Sequence, residues 1–431
     1  RSNGGIPAVP RLPDNELTYD RIKRLLESAD YIERYTGSTN LGRCSISGWK
    51  GTAEQADELT VLALADEFWA TRYEAAKFAY SRGKTAKGIT SPLVAALDSE
   101  EPLVRGQVAL AIGQVEVVDH ALPRLKEMLA TADEPLAVAT VLATTEEGCE
   151  ALRELAMSKN ATVRLFSNAG LIKAGRDLGV ATTQAYLQDL LSALTGKDIA
   201  TVLLACKSVQ LASKSAAGAG REIAALLSHA DIDVRIAASD AIFQAAPKDD
   251  AVVAAIIGVL DDKAIQSKCI VALGRIGEKA RPAIPALIKL MDHDPSARYV
   301  AVAYAFPGID PQSPEVLVAL LKVLKESIDA GWPDDKVIEA IGGYGPSGKN
   351  AVPDLIKAMG VRTKAPYHVP VAIWALGQIG PDAAAAQEEI EKYLNGECQE
   401  LAATALKRIT AKDATSMPPP QKRYPGAAVF Y

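Results

Sequence analysis

The sequence predicts an all-α fold, an α-solenoid of about ten to eleven stacked helix pairs. Three observations carry that prediction. A helix start around proline recurs in Ala121-Leu122-Pro123-Arg124-Leu125, Ala283-Ile284-Pro285-Ala286-Leu287 and Ala351-Val352-Pro353-Asp354-Leu355. A second helix ends each time in an Ala-rich, glycine-closed phrase: Ala272-Leu273-Gly274-Arg275-Ile276-Gly277, Ala340-Ile341-Gly342-Gly343-Tyr344-Gly345 and Ala375-Leu376-Gly377-Gln378-Ile379-Gly380. Where the match is cleanest the copies recur every 33 to 35 residues, and such a period means units that bury their apolar faces on their neighbours. Within a unit, Leu93, Leu97, Val104, Val108 and Ile112 fall at helical spacing, and no run alternates in the manner of a strand.

The chain divides into three parts. Residues 1–51 fall outside the repeat and are expected to form an arm with a short helix. Arg1 to Pro13 is rich in Gly and Pro, Asp14 or Asn15 is placed to cap a helix through Tyr19, Ile22, Leu25 and Leu26, and Thr36 to Gly51 is rich in Gly, Ser and Thr. Residues 52–410 form the repeat body. The period crosses its middle without a linker, so one continuous superhelix is expected. Residues 411–431 form a tail with Pro418-Pro419-Pro420, basic Lys422-Arg423 and an apolar tip, Val429-Phe430-Tyr431. Both ends are extensions a solenoid does not need, so both are expected to contact partner proteins, with Phe430 and Tyr431 as candidates.

The turn inside each pair has its own chemistry. Glu101, Asn160, Asp231 and Asp294 each stand four residues before an arginine, namely Arg105, Arg164, Arg235 and Arg298. The first residue is suited to accept from free N–H groups at a helix start, and the arginine one turn later can reach an acidic group of its own or the adjoining repeat. Arg72, 33 residues before Arg105, completes the row. These five arginines are read as a structural ladder in preference to a binding stripe.

Composition narrows the function. A net charge of −6 with 53 acidic against 47 basic residues disfavours a nucleic-acid partner, which needs clustered cations. The longest apolar run, near Ala251 to Leu260, is about half of the ~20 residues a membrane helix requires. Cys44, Cys149, Cys206, Cys269 and Cys398 are odd in number and scattered, which fits free thiols in a reducing compartment. The chain opens on Arg1, which is consistent with a removed leader and with organellar import or secretion.

Several chemical motifs fail on inspection. Gly343 to Asn350 imitates a phosphate-binding loop, but Asn350 stands where a hydroxyl is required and the stretch aligns with the turn at Gly277. Asp292-His293-Asp294 imitates a metal cluster but occupies an inter-helix turn. Four histidines without an acid-base or nucleophilic companion leave no catalytic cast, so no cofactor, metal or catalytic residue is expected. Cys206 and Cys269 read as small buried hydrophobes. Cys44 differs, because it lies outside the repeats beside Arg43, a cation that favours the thiolate. Trp332, Tyr344, Tyr367 and His368 recur near turns and are the candidate partner-binding patch.

Together Pro-x-Leu-x-x-Leu, Asp-Pro-x-Val-Arg-x-x-Ala and Ala-Leu-Gly-x-Ile-Gly resemble the HEAT family of α-solenoid repeats, in the short form named after phycobilin lyases. The resemblance covers roughly residues 52 to 410, and it implies a non-enzymatic protein-binding scaffold. Trp69 to Phe78, with Arg72-Tyr73-Glu74-Ala75-Ala76, resembles an element near the start of the bilin-lyase repeat chains. The terminal arms are similar to those of phycobilisome linkers, which implies a red-algal, chaperone-like protein that stabilises antenna rods on the stromal side of a plastid thylakoid. Phycobiliprotein subunits and linkers would then be its partners, and the same resemblance makes Cys44 a weak candidate for bilin attachment. The alternatives are a bilin lyase subunit and a HEAT adaptor unrelated to light harvesting.

Overall fold

A computed structural model describes residues 8–44, 51–175, 179–363 and 367–410, and among them the regular structure is helical, without strands. The chain falls into two compact units, Arg1–Ile223 and Ala224–Tyr431.

In the first unit the helices come as pairs: α1 (Tyr19–Leu26) with α2 (Tyr31–Cys44), α3 (Ala53–Leu64) with α4 (Trp69–Arg82), and α5 (Thr90–Ala96) with α6 (Pro102–Val115). Then follow α7 (Val118–Ala130) with α8 (Pro135–Leu142), α9 (Glu146–Leu155) with α10 (Ala161–Lys173), and α11 (Gly179–Leu194) with α12 (Ile199–Ala212). Each even-numbered helix also packs on the next even-numbered one, which makes an inner row from α2 to α12. A short helix, α13 (Gly220–Ala225), follows.

The second unit begins with α14 (Ile232–Ala245). It continues with α15 (Asp250–Gly258), α16 (Gln266–Ile276), α17 (Ile284–His293), α18 (Pro295–Val300), α19 (Phe306–Ile309) and α20 (Pro314–Asp329). It closes with α21 (Asp335–Gly343), α22 (Val352–Gly360), α23 (His368–Ile379), α24 (Gln387–Glu391) and α25 (Gln399–Thr410). Its inner row runs α14, α16, the segment from α18 to α19, α21, α23 and α25. Leu273, Ile276, Ile341, Leu376 and Ile379 of the glycine-closed phrases are buried in it.

One connector recurs between repeats. The second helix stops at a residue of positive φ, a seven-residue 3₁₀ turn follows, and the next first helix begins. Gly83–Ile89, Ser213–Ala219, Gly277–Ala283, Gly345–Ala351 and Gly380–Ala386 are its copies. Glycine is used because an L side chain is strained there, and Ser213, with φ 48°, is the exception. The stretch that imitates a phosphate loop is thus the Gly345–Ala351 connector, with Lys349 exposed on its last turn.

Caps set the helix starts. Asn160, Asp231 and Asp294 each accept two backbone N–H bonds at the starts of α10, α14 and α18. Glu101 makes no such bond at α6, where its longer side chain does not close the short ring a cap requires. At the amino terminus Asp14 and Asn15 lie in a 3₁₀ turn, and Thr18 caps α1 by accepting from the Arg21 N–H.

The amino-terminal region differs most from the sequence expectation. The Gly/Ser/Thr-rich stretch from Thr36 is the helix α2, which packs on α1 and α4. Its polar residues are small and satisfied: Ser38 donates to the Thr71 carbonyl at 2.8 Å, and Thr36 donates to the Ile32 carbonyl at 2.7 Å. Residues 10–14 are held by the chain itself. Buried Asn40 accepts from the Leu12 N–H at 3.0 Å, and Arg43 donates to the Leu12 carbonyl at 2.6 Å and to Asp14 at 3.0 Å. This part of the arm therefore ends the first repeat by covering α2.

Candidate functional site

The arginine row has two populations. Arg105 donates from Nε and Nη2 to the two carboxylate oxygens of Asp133, at 2.8 and 2.7 Å, and from Nη1 to the carbonyls of Ser99 and Glu100, at 2.7 and 2.9 Å. Arg164 repeats this with Asp189, at 2.8 and 2.6 Å, and the carbonyls of Ser158 and Lys159. Arg235 repeats it with Asp262, at 2.7 Å, and the carbonyls of His229 and Ala230. Each guanidinium ties its own turn to an aspartate 25 to 28 residues further on. Hydrogen bonding from Asp133 and Asp189 holds the pKa of Arg105 and Arg164 above the ordinary value.

Arg72 and Arg298 belong to the second population. Arg72 donates to the carbonyls of Asp66 and Glu67, but opposite it stands Ser99 and no carboxylate. Arg298 donates from Nε to the Met291 carbonyl at 3.0 Å, with no carboxylate among its bonds. Asp294, which precedes it by four residues, is paired instead with Lys263.

One rung lay outside the sequence reading. Arg34 donates from Nε to buried Asp66 at 2.6 Å, from Nη1 to the carbonyls of Ser28 and Ala29, and from Nη2 to Glu67. Its signal was present, since Asp30 precedes it by four residues and accepts from the Ile32 N–H as Asp231 accepts from that of Asp233.

The thiols offer little chemistry. Cys149, Cys206 and Cys269 are buried, and burial pushes the Cys206 and Cys269 thiols up to about 12. Cys44 is the last residue of α2, and its side chain lies outside the described residues. Asp292 pairs with Lys322 at 2.9 Å and Asp294 caps α18, so both carboxylates beside His293 are engaged. Among the described residues no cluster of His, Cys, Asp and Glu is arranged to hold a metal ion.

The aromatic candidates separate by exposure. Tyr344 is 6% exposed, donates to the Ser313 carbonyl at 2.9 Å, and is pushed up to about 12 by burial, with Asp310 adding to the shift. His368 is 4% exposed, with Nε2 3.2 Å from the Val361 carbonyl. Both are packing residues and not exposed contacts, and Tyr344 adds only a buried edge to the lining of the cavity between the π turn and α21. Trp332, at 69%, and Tyr367, at 48%, are open. Phe430 and Tyr431 lie outside the described residues.

A more specific surface lies in the same unit. Between α18 and α19 the helix opens into a π turn, Ala301–Ala305, in which the Phe306 N–H donates to the Ala301 carbonyl five residues back. Two local features accompany it. Pro307 has no N–H to continue an α ladder. Gly274 of α16 and Gly308 let the two backbones touch, because a Cβ on Gly274 would overlap the Tyr304 carbonyl oxygen and one on Gly308 that of Gly274. The i→i+5 bonding brings Tyr299 and Tyr304, each about half exposed, to one cavity, whereas α-helical geometry would set residues five apart at about 140°.

That cavity has a volume of about 380 Å³. Tyr299, Tyr304, Phe306 and Pro307 form one wall, Lys336 and Glu339 of α21 the facing rim, and Trp374 of α23 part of the floor. Trp374 is admitted by Gly342, since a Cβ there would overlap its ring. Lys336 and Glu339 pair at 2.8 Å, so the rim is close to neutral. The groove is hidden in the sequence because Ala301 to Ala305 reads as ordinary helix, with Pro307 the available signal.

Residues 265–293 match the family described as PBS lyase HEAT-like repeat. The matched stretch covers α16, its connector and α17, the helices beside the π turn. The HEAT-like repeat was thus legible in the phrases around Gly274 and Pro285. Among solved structures, an engineered protein is similar over 93% of this chain and 100% of its own, with 19% identity and a TM-score of 0.31. Importin beta is similar over 90% of this chain and 57% of its own, with 12% identity and a TM-score of 0.49. Kap121p, in a complex with Nup53p, is similar over 90% and 44%, with 13% identity and a TM-score of 0.42. The chain thus spans little more than half of importin beta and less than half of Kap121p, and likenesses this distant carry nothing about function. No curated protein matches the chain. Among the described residues no helix is long and apolar enough to cross a membrane.

Proposed function

We propose that this chain is a non-enzymatic protein-binding scaffold whose contact surface is the groove between the π turn and α21. The observation that carries it is the pair Tyr299 and Tyr304, two large amphipathic rings left about half exposed over an apolar floor. Aromatic side chains supply contact area at low entropic cost and are enriched among residues that dominate binding energy. HEAT-like helix stacks generally serve to hold other proteins, which suits such a groove.

The partner class proposed is the pigmented phycobiliprotein assembly of a plastid light-harvesting antenna. The phycobilin-lyase form of the repeat at 265–293 supports it, as does the resemblance around Arg72. The test is titration of the purified chain with intact phycobiliprotein hexamers. Tyr299→Ala/Tyr304→Ala is expected to weaken binding by about 2 kcal/mol or more with an unchanged melting temperature. Unchanged affinity in that variant would remove the groove from the interface. Failure of the unaltered chain to bind hexamers would leave a HEAT-like adaptor with other partners. Thioether formation between a bilin and an apo-subunit, faster than the spontaneous rate, would make the chain a lyase component.

A further inference from the structure

The arginine rungs contain their own control. At Arg34, Arg105 and Arg235, the residue facing the guanidinium is an aspartate in the inter-helix turn of the next repeat: Asp66, Asp133 and Asp262. Asp66 and Asp262 also accept the N–H two residues on, from Phe68 and Ala264, at 2.7 and 3.0 Å. Ser99 stands at that place for Arg72 and accepts the N–H of Glu101, also two residues on, at 3.4 Å. It is the same position with the carboxylate missing.

The consequence is visible in the bonding. Arg72 Nη1 makes the usual two carbonyl bonds, to Asp66 and Glu67 at 2.7 and 2.9 Å. Its Nη2 reaches only the Ser99 hydroxyl, at 3.2 Å, and its Nε is enclosed with no hydrogen-bond partner. A buried guanidinium N–H left unpaired is costly and uncommon. Ser99 accepts in both of its bonds here, so its hydroxyl proton is available to donate. Beside the pair opens a cavity of about 320 Å³, walled by Val61, Leu64, Ala65, Pro92 and Ala96. Asp98, also on its wall, is engaged by Arg124 at 2.9 Å.

We propose that the Arg72 rung is a binding site for a carboxylate on a short apolar stem, supplied from outside the chain. The carboxylate takes the role Asp133 plays for Arg105, receiving from the Arg72 guanidinium and the Ser99 hydroxyl, while the stem lies against the aliphatic wall. A cavity of this size lies at the lower end of the range for ligand pockets, which suits a small carboxylic acid or one acidic side chain of a partner polypeptide. The inference stands on the vacant rung and is independent of the groove near Tyr304.

The test uses the full chain labelled with ¹⁵N at arginine, with the Arg72 Nε–H resonance assigned by its loss in Arg72→Lys. Three probes are added in turn: 4-methylpentanoate, its uncharged amide, and N-acetyl-Leu-Glu-Leu-amide, whose only carboxylate is a side chain. Saturable movement of the Arg72 resonance is expected with the acid, the blocked peptide or both, and none with the amide. Response to the acid alone assigns a small-molecule ligand, and response to the peptide assigns an acidic residue. Ser99→Asp fills the rung from within, so it is expected to abolish the response and to raise the melting temperature by about 2–4 °C. Should that variant not fold, Ser99→Asn occupies the same space and must reduce the response. No movement with either carboxylate, equal movement with the amide, or an undiminished response in the filled variant overturns the proposal.

Discussion

Arg105 and Asp133 face each other through two parallel hydrogen bonds, at 2.8 and 2.7 Å, across 28 residues of chain. A planar fork against a planar carboxylate fixes orientation as well as distance. Because Arg105 Nη1 also holds the carbonyls of Ser99 and Glu100, one side chain sets the spacing between consecutive inter-helix turns. Repeats held in this way share their stability with neighbours, and the loss of a rung is felt as stability.

Arg235→Ala and Arg298→Ala therefore separate. Arg235 is tied to Asp262 and to two carbonyls, and its truncation is expected to cost about 1–3 kcal/mol. Arg298, with one carbonyl and no carboxylate, should cost less. Urea denaturation of the two variants checks this, and equal losses would deny the aspartate its part. A double-mutant cycle between Arg235 and Asp262 should show a coupling of about 0.5–3 kcal/mol.

Ser213 gives a prediction of opposite sign. It starts its connector at φ 48° and ψ −126°, where four sibling connectors use glycine. A side chain in such a region costs on the order of 1–3 kcal/mol, and glycine removes most of that while adding some unfolded-chain entropy. Ser213→Gly is expected to raise the denaturation midpoint. A lower midpoint would show that the bonds of the Ser213 side chain outweigh the backbone strain.

The legibility of the chain follows the same division between local rule and tertiary exception. The period was legible because proline, glycine and the capping residues each act within a few positions, as at Asp231 and Gly277. The helix α2 was hidden because Thr36, Gly37, Ser38 and Thr39 have weak helix propensity, and only close packing under α1 explains them. A Cβ on Gly37 would sit 3.0 Å from Leu25 Cβ. Tyr344 and His368 were placed at the surface because turns are usually exposed, yet the Ser313 and Val361 carbonyls draw their polar atoms inward. The groove depends on a π turn, which no period marks, and on the glycines that let backbones meet.

His368 adds a pH dependence whose sign can be worked out. Burial is the largest influence and pushes its pKa below the ordinary value, against the raising influence of the Val361 carbonyl and Asp335. The folded state thus favours the neutral ring. The associated stability is present above the unfolded pKa of about 6.5 and is lost as pH falls through the lower folded value. The denaturation midpoint should drop between pH 7.5 and 5.5, and His368→Gln should flatten that drop. A slope unchanged by the substitution would place its origin elsewhere.

The groove can be altered from beneath without touching its tyrosines. Gly342 lies under the Trp374 ring, and a Cβ there would overlap two ring carbons, which rotation can move aside, and press on the Ala375 Cα at 3.0 Å. Gly274 lies against the Tyr304 carbonyl, where the obstacle is backbone on both sides. Gly342→Ala is therefore expected to cost about 1–3 kcal/mol, and Gly274→Ala the top of that range or more. The two should also differ in fluorescence, since Trp374 is 5% exposed and the Gly342 variant pushes its ring toward water. A red shift of tryptophan emission in Gly342→Ala but not in Gly274→Ala is the expected pattern. Partner binding should fall in both, because one disturbs the floor of the groove and the other the π turn that aims Tyr299 and Tyr304 into it. Should Gly342→Ala shift the emission while binding stays intact, Trp374 serves the packing between α21 and α23, and the contact surface is confined to the tyrosine wall.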